Sequence, residues 1–433
     1  MIVIFNLSLR FCSIINLHCG DLHLGAPFQY ATGISNAVDR AVSEATYVAL
    51  DKIIDTAITE HVHAVVIAGD IYNSEDHNLE AQVRFVRAMY RLAEHRIDVY
   101  MVQGNHDPAE SWRAQLQMPD NVHIFSSEQV QRFPLIVNNI EIGGVYGISC
   151  GHGNESDNYA RQYRAFERDE FSLAVMHGTV GSSVGSENHN VTGPCNLTDL
   201  TEAAMDYWAL GHIHKSQVLS EEPLVVYAGN SQGLHRKEHG PKGCYLVSVS
   251  HNGHCDLRFI DTCAVRFEEI KIDIAGMQNE TDFLEILRHK KENLRKQHKK
   301  NILLSLVLSG TGPLHRLCTQ EEIRKLWLQE SQNEEKGKSI FVMPYRIISN
   351  TRPSINLVER RLLTDVVGDY LRAYDDMVDG DAIQTARQIM GNRPEFKRLG
   401  AYADLLSDEL LARALKRCEI EGVTVLMGAN DEH

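Results

Sequence analysis

Residues 13–23 read SIINLHCGDLH, an apolar run followed at once by Gly20, Asp21 and His23. A short apolar run bounded by a glycine is typical of a buried β-strand. Aspartate and histidine are both metal ligands, and here they stand two positions apart directly after the predicted strand. The segment therefore predicts a strand that delivers two candidate metal ligands to one edge of a sheet.

Four later apolar runs, at residues 64–68, 99–102, 173–176 and 208–210, are also followed by polar residues that can bind metal. These residues are Asp70, Asn105, His106, Asp107, His177, His212 and His214. Sites in α/β proteins form beyond the carboxyl ends of strands, so five such ends can meet in one crevice. An ordinary turn or a pair of surface histidines would explain each motif alone. Their recurrence at five strand ends predicts a shared site.

Between these runs, residues 34–60 and 79–95 carry apolar residues at helical spacing. Alternation of strands with amphipathic helices indicates a layered α/β fold. The composition, 43% apolar and 23% charged, is that of a globular protein. The apolar start, residues 1–17, is interrupted by Arg10 and shows no cleavage site, so we expect an extension running into the first strand.

The candidate ligands are imidazoles, carboxylates and an amide, without a thiolate, which argues against a structural zinc site. Nitrogen and oxygen ligands suit manganese, iron or zinc in an open catalytic site. Two such ions, roughly 3.5–4 Å apart, would clamp a phosphoryl group. The nine cysteines are scattered, as expected for the reducing cytoplasm. The sequence thus predicts a cytoplasmic two-metal phosphoesterase.

The net charge is −15, from 43 basic and 58 acidic residues, which argues against a protein that coats nucleic acid by bulk charge. Nucleic acid held by bound cations and a local basic surface remains compatible with it. A basic run lies in a predicted helix at 281–300 and supplies four candidate DNA contacts: Lys290, Lys291, Arg295 and Lys296. The alternative for this run is a solvated helix end.

Changes of pattern along the chain predict three domains. The first spans residues 1–262, a small α/β domain spans 263–348, and a helical region spans 349–433. Within the small domain, the polar stretch Glu330–Lys338 predicts an exposed loop. The helical region carries a leucine stripe that suits either a core helix or a partner surface. Its members are Leu405, Leu406, Leu410, Leu411 and Leu415.

The motifs DxH, GD, GNHD, HG and GHxH resemble those of the calcineurin-like metallophosphoesterases. More narrowly, residues 17–28, 206–215 and 227–233 resemble the SbcD and YhaO-type DNA repair exonucleases. The resemblance covers roughly Phe11 to Asp261. It implies a four-layer α/β sandwich with a small α/β capping domain and C-terminal helices. Asn73 departs from the family pattern, since relatives often have Asp or His there, and so do Ala228 and Leu234.

The resemblance also implies roles for individual residues. The first ion would be held by Asp21, His23, Asp70 and His214. The second would be held by Asp70, Asn105, His177 and His212, so that Asp70 bridges the two. His106 would stabilise or protonate the leaving oxygen, and Asp107 would orient His106.

Among phosphoesterases, protein phosphatases carry the motifs GDxxDRG and GNHE, which this chain lacks. We therefore favour a manganese-dependent nuclease acting at DNA ends. Whether it would cut as an exonuclease or an endonuclease stays open. The alternatives are a phosphodiesterase for small nucleotides and a non-catalytic partner module of an SbcC-like ATPase. The resemblance implies that ATPase as a partner, and homodimerisation through residues 79–95 by analogy.

Overall fold

The computed structural model describes residues 14–28, 36–111, 114–151, 156–181, 183, 190–250, 253–353, 356–379, 381–393 and 407–428. The expectations for the N-terminal extension before residue 14 and for Leu405 and Leu406 lie outside these residues. The described part of the chain combines β-sheets with flanking helices, which confirms the mixed α/β class.

The first sheet holds six strands in the order β12-β11-β1-β2-β3-β4. Their bounds are β1 Ile14–Cys19, β2 Ala64–Ala68, β3 Asp98–Val102, β4 Val122–Ile124, β11 Gly243–Val249 and β12 Cys255–Asp261. Strands β1 to β4 are mutually parallel, and β11 joins β1 in antiparallel pairing. The carboxyl ends of β1, β2 and β3 therefore share one edge of the sheet.

The second sheet also holds six strands, in the order β5-β6-β7-β8-β10-β9. Their bounds are β5 Gln131–Val137, β6 Ile140–Ile148, β7 Phe171–His177, β8 Tyr207–Gly211, β9 Gln217–Glu221 and β10 Leu224–Tyr227. Strands β6, β7, β8 and β10 are parallel, and His177 of β7 is in register with Gly211 of β8. The second sheet thus also gathers its ligand-bearing strand ends at one edge.

Three buried clusters order these sheets into layers. Apolar side chains of both sheets, such as Val66 and Val175, pack together in the central cluster. Helices α2 (Ala45–Thr59) and α3 (Leu79–Glu94) cover the outer face of the first sheet. Helix α4 (Leu197–Glu202) and a 3₁₀ turn at Tyr159–Gln162 cover the second sheet. The result is the helix–sheet–sheet–helix arrangement that was expected.

The helical pattern at 34–60 forms two helices, α1 (Asn36–Ser43) and α2, instead of one. Glu44 separates them, and its carboxylate pairs with Arg84 of α3 at 2.7 Å. The two segments pack into different cores: Val38 and Val42 of α1 join Phe267 and Leu303, whereas α2 packs on the first sheet. The apolar residues at helical spacing in this segment therefore belong to two helices that pack against different parts of the protein.

The remaining elements follow β12 in the chain. They are β13 Val265–Asp273, α5 Glu280–His298, β14 Asn301–Thr311, α6 His315–Thr319, α7 Glu321–Asn333, β15 Val342–Arg352, α8 Leu357–Arg361, α9 Val366–Asp379, α10 Ala382–Gly391 and α11 Asp408–Gly428. Strands β13, β14 and β15 form a three-stranded sheet in that order. In the part of the chain that the structure describes, no helix is both long and apolar enough to cross a membrane.

Contacts divide the chain into two compact units. The first comprises Met1–Ile270, Lys290–Ser305 and Glu330–Arg346, and the second comprises Lys271–His289, Leu306–Gln329 and Ile347–His433. The small domain predicted at 263–348 thus contributes to both units, and the three-domain division stays a prediction.

The polar stretch Glu330–Lys338 is the exposed loop that its composition suggests only at its end, where residues 336–338 are exposed. Helix α7 continues to Asn333, and Ser331 and Glu335 are each only 2% exposed. Both residues meet cations of α5: Ser331 accepts a hydrogen bond from Lys291, and Glu335 pairs with Lys291 and Arg295. Charged residues are buried here because each charge has a partner of opposite sign.

Candidate metal centre

The predicted ligands follow or end five parallel strands. Asp21 and His23 follow β1, Asp70 follows β2, and Asn105 follows β3 after two intervening residues. His177 is the last residue of β7, while His212 and His214 come directly after β8. The structure brings six of these residues into two groups whose donor atoms lie within 4.8 Å of one another. The groups are Asp21, His23 and His214, and Asp70, His177 and His212.

The backbone at this edge is held in a conformation that L-residues rarely adopt. The φ angles are +48° at Asp21, +42° at His23, +49° at Asp70 and +100° at His212. Each such residue costs about 1–3 kcal/mol and persists only where its surroundings fix it. Four candidate ligands therefore carry local strain, as is common at functional sites.

Gly69 and Gly104 permit the close approach of the ligand loops. Gly69 has φ +87°, and a Cβ there would collide with the His177 ring. A Cβ at Gly104 would overlap the Asp70 carboxylate. Glycine is needed at both positions because any side chain would displace a candidate ligand.

In the second group, the amide oxygen of Asn105 joins two imidazoles. Asn105 Oδ1 lies 3.0 Å from His177 Nε2 and 3.1 Å from His212 Nδ1. The two ring nitrogens are 3.3 Å apart, and Asp70 Oδ2 lies 3.4 Å from His177 Nε2. The Asp70 carboxylate also accepts the His106 backbone N–H at 2.9 Å through Oδ1.

The outward nitrogens fix the tautomers of these rings. His177 Nδ1 donates to the Ala68 carbonyl at 2.9 Å, and His212 Nε2 donates to the Asn190 carbonyl at 2.8 Å. The nitrogens that face Asn105 Oδ1 are then lone-pair acceptors, so three acceptors meet at about hydrogen-bond distance without a proton between them. A divalent cation fits this donor set, because it would bind acceptors that otherwise repel one another.

The first group repeats this logic. His23 Nε2 and His214 Nε2 face each other at 3.1 Å. His23 Nδ1 donates to Asn73 Oδ1 at 2.9 Å, and His214 Nδ1 donates to Glu238 Oε1 at 2.5 Å. Both inward nitrogens are thus acceptors, and beside them stands the Asp21 carboxylate, which accepts the His212 backbone N–H at 2.8 Å.

The two buried carboxylates differ in their electrostatics. Burial raises the pKa of Asp21 well above its ordinary value, the neighbouring Asp70 raises it further, and the His212 N–H opposes this. Burial also acts to raise the pKa of Asp70, but the neighbouring histidines, His177 first, hold it below its ordinary value. Two carboxylates so close together favour occupation by cations.

His106 and Asp107 occupy the turn after β3. The His106 side chain is exposed, and its ring centroid lies 5.1 Å from that of His23. The Asp107 carboxylate is buried and accepts two backbone N–H groups, from Gly104 at 2.8 Å and Ile71 at 3.1 Å. Asp107 therefore ties the β3 turn to the β2 turn, while its expected role in orienting His106 stays a prediction.

Sequence reasoning missed three residues next to the first group. Asn73 was noted only as a departure from the family, yet it contacts His23. Glu238 and Lys242 are buried, and Lys242 Nζ donates to the His214 carbonyl at 2.8 Å. Burial acts to raise the pKa of Glu238, but its contact with His214 and the Lys242 charge hold it below its ordinary value. The available signal was a single carboxylate within a stretch rich in His, Arg and Lys.

The four candidate DNA contacts on α5 divide into two kinds. Lys291 is 1% exposed, and its ammonium donates to Ser331 and pairs with Glu334 and Glu335. Arg295 is half-buried and paired with Glu335. The expectation of a DNA contact is wrong for Lys291 and conflicts with the pairing of Arg295, because their charges are already used inside the protein. Lys290 is half-buried and Lys296 is exposed.

The fold and the paired ligand groups define a calcineurin-like phosphoesterase, and the sequence pattern of that family matches residues 17–216. The pattern described as "Metallophosphoesterase YhaO, middle domain" matches residues 267–352. This chain belongs to the YhaO family of metallophosphoesterases. It is 32% identical over 405 residues to the metallophosphoesterase YhaO of Bacillus subtilis, a match that covers 93% of this chain and 96% of that protein.

More distant relatives carry a name that refers to DNA. The chain is 24% identical over 383 residues to the DNA double-strand break repair protein Mre11 of Sulfolobus acidocaldarius, covering 82% of this chain and 90% of that protein. The Mre11 protein of Saccharolobus solfataricus is 24% identical over 386 residues, covering 84% and 92%. The predicted membership of the calcineurin-like and YhaO/SbcD-type families is confirmed.

Proposed function

We propose that this chain is a nuclease that hydrolyses phosphodiester bonds at DNA ends with the help of two divalent cations, manganese foremost. The observation that carries the proposal is the pair of acceptor-only ligand groups described above, with Asp70 beside both. Nitrogen and oxygen donors of this kind suit manganese. Such cations, when bound, would neutralise phosphoryl charge and lower the pKa of an attacking water.

The protein's own residues supply positioning and a proton. Asp21, His23 and His214 would hold one cation, and Asn105, His177 and His212 the other, with Asp70 shared. His106 is exposed beside His23 and is suited to protonate the leaving oxygen as a general acid. Asp107 would keep the turn that carries His106 in place.

DNA as the substrate is supported by the relatives named Mre11 and by the two lysines of α5 that do not join the buried ion pairs described above, Lys290 and Lys296. Each phosphate contact contributes about 0.9 to the slope of log affinity against log salt. Replacing both lysines by glutamine should reduce that slope for duplex DNA. An unchanged slope would place the DNA elsewhere on the protein.

A small nucleotide is the second candidate substrate, and one observation favours it. The cleft beside His106 has a volume of about 760 Å³, and its described lining includes Glu75, Asp76 and Glu110 but neither lysine nor arginine. Carboxylates at this rim oppose a second row of phosphates. A substrate with one phosphodiester group would avoid that repulsion.

The C-terminal helices support a partner. Helices α9, α10 and α11 enclose an apolar groove of about 410 Å³, whose lining includes Met377, Ile389 and Leu415. An apolar groove of this kind is suited to bind an apolar face of a partner. We assign this surface to a coiled-coil ATPase of the SbcC type, and a homodimer contact to α3, where Leu79 is 54% exposed.

Cytoplasmic localisation is also part of the proposal. It rests on the thiols: none of the eight cysteines in the described residues forms a disulfide. Disulfides are rare in the reducing cytoplasm.

A substrate panel assayed with manganese tests the proposal. It contains linear duplex, covalently closed circular duplex, single strand, cyclic dinucleotide and an aryl phosphodiester. We expect degradation of linear duplex by the wild type and none by Asp70→Ala. Cleavage of only the small substrates would replace DNA by a small nucleotide. Activity that survives in Asp70→Ala, or a wild type inert on the whole panel, would contradict a metal-dependent enzyme.

A further inference from the structure

The histidines of the two ligand groups differ in what lies behind them. His23, His177 and His212 hydrogen-bond through their outward nitrogens to neutral oxygens, those of the Asn73 amide and the Ala68 and Asn190 carbonyls. A carboxylate oxygen, Asp21 Oδ1, also lies near His177 Nδ1, but at 3.8 Å it is beyond hydrogen-bond distance. His214 directs its Nδ1 to the carboxylate of Glu238 at 2.5 Å. A carboxylate behind an imidazole makes the opposite nitrogen a stronger ligand than a neutral acceptor does.

Glu238 is itself held firmly. Glu238 is only 7% exposed, and its second carboxylate oxygen, Oε2, accepts a hydrogen bond from the Leu234 backbone N–H at 2.6 Å. Its backbone N–H donates to the His235 carbonyl at 3.0 Å, which closes a tight turn. The carboxylate therefore cannot rotate away from His214 without losing contacts on both oxygens.

Lys242 holds the other end of His214. It is 8% exposed, and its ammonium donates to the His214 carbonyl at 2.8 Å. His214 is thus fixed both at its backbone and at its ring by residues that follow it by 24 and 28 positions, on the loop before β11. A ligand held at two points keeps Nε2 directed toward His23, where the first cation would lie.

We propose that Glu238 is a positioning residue of the first cation site: it fixes His214 with the proton on Nδ1 and strengthens Nε2 as a ligand. This inference rests on the two-cation part of the proposed function. Partners behind metal-binding histidines are typically worth 10–100-fold in metal affinity. Loss of the Glu238 charge should therefore weaken the binding of one of the two cations and leave the binding of the other unchanged.

The test is a manganese titration of the metal-free full-length protein, with unbound Mn²⁺ measured by its electron paramagnetic resonance signal. The wild type should bind two ions. Glu238→Gln keeps the shape and removes the charge, and one affinity should fall 10–100-fold. Asn73→Ala is the matched control, because it removes the neutral partner of the other histidine in the same group and should cost less. Activity lost by Glu238→Gln should return as manganese is raised.

A second measurement needs no variant. In zinc-loaded protein labelled with ¹⁵N at histidine, the His214 ring should carry its proton on Nδ1. A ring protonated on Nε2 would overturn the proposal, as would a folded Glu238→Gln protein with both affinities unchanged. If the glutamine variant does not fold, the titration is done with Glu238→Asp, which keeps the charge on a shorter side chain. This variant should also lower the manganese affinity of one site. A wild type that binds fewer than two ions would instead refute the two-cation function itself.

Discussion

Replacing Lys291 by methionine distinguishes between two roles of this lysine, a member of a buried ion-pair network or a contact to DNA. Its ammonium lies 2.9 Å from Glu334 Oε2, 3.2 Å from Glu335 Oε1 and 2.9 Å from Ser331 Oγ. Methionine fills a similar volume but removes the charge. Since the side chains of Lys291 and Glu335 are 1% and 0% exposed, solvent does not compensate the remaining carboxylate.

Breaking a buried ion pair by removing one partner costs about 3–5 kcal/mol. Glu335 keeps Arg295, Lys338 and the Val342 N–H, so the lower end of that range applies. With an unfolding entropy of about 2.1 cal/mol/K per residue, a unit of roughly 300 residues loses about 1.6 °C per kcal/mol, so the melting temperature should fall by roughly 5 °C.

Urea denaturation followed by circular dichroism measures this loss, and DNA affinity is measured on the same protein. Lys296→Met is the matched control on the same helix, because Lys296 is exposed, and it should change stability by no more than about 0.5 kcal/mol. Equal stability of the two variants, together with weaker DNA binding by Lys291→Met, would refute the buried ion-pair network.

Three further predictions concern the site and the same network. Gly104→Ala should weaken metal binding and lower activity about 100-fold, because its Cβ would displace the Asp70 carboxylate; calorimetric metal titration and kcat/KM measure both, and normal values would refute the steric argument. His106→Asn should lower kcat on DNA by about 10²–10⁴ with unchanged metal affinity, and by much less on an aryl phosphodiester whose leaving group needs no proton; equal losses would exclude a general-acid role. Burial acts to raise the pKa of Glu335, but the Val342 N–H and its cationic partners hold it below the ordinary 4.5. Its contribution to stability should thus be present above pH 4.5 and lost as the pH falls through the lower folded pKa, so the difference in stability between wild type and Lys291→Met should shrink as the pH falls below 4.5; a difference that does not change with pH would contradict this.

The candidate ligand residues could be predicted from sequence because the information is local. Each run of apolar residues ends beside a glycine and a metal-binding side chain, and the parallel α/β pattern brings such ends together. The partners behind the ligands could not be predicted in the same way. The Ala68 and Asn190 carbonyls carry no side-chain signal, and Glu238 reaches His214 only through the path of the loop before β11.

The burial of Lys291 in α5 could have been predicted from helical periodicity, but the basic composition of the run suggested an exposed helix end instead. Phe283, Leu287 and Lys291 stand four residues apart, so they share the buried face of the helix. That periodicity places Lys291 inside, whereas composition alone suggests a solvated or DNA-binding helix end. The partner Glu335 lies 44 residues later, and its burial depends on tertiary structure that sequence pattern does not reveal.

The origin of the ligands in two different sheets has a consequence for how the enzyme tolerates change. Asp21 and His23 come from the first sheet and His214 from the second, and the other group is divided in the same way. Each bound ion would therefore be coordinated by residues from both sheets and would link the two sheets. The apolar filling between the layers, including Val66 and Val175, sets the spacing of the two halves of every coordination sphere. Shortening such a side chain by mutation would shift the two halves of the site relative to each other and lower activity before it unfolds the protein.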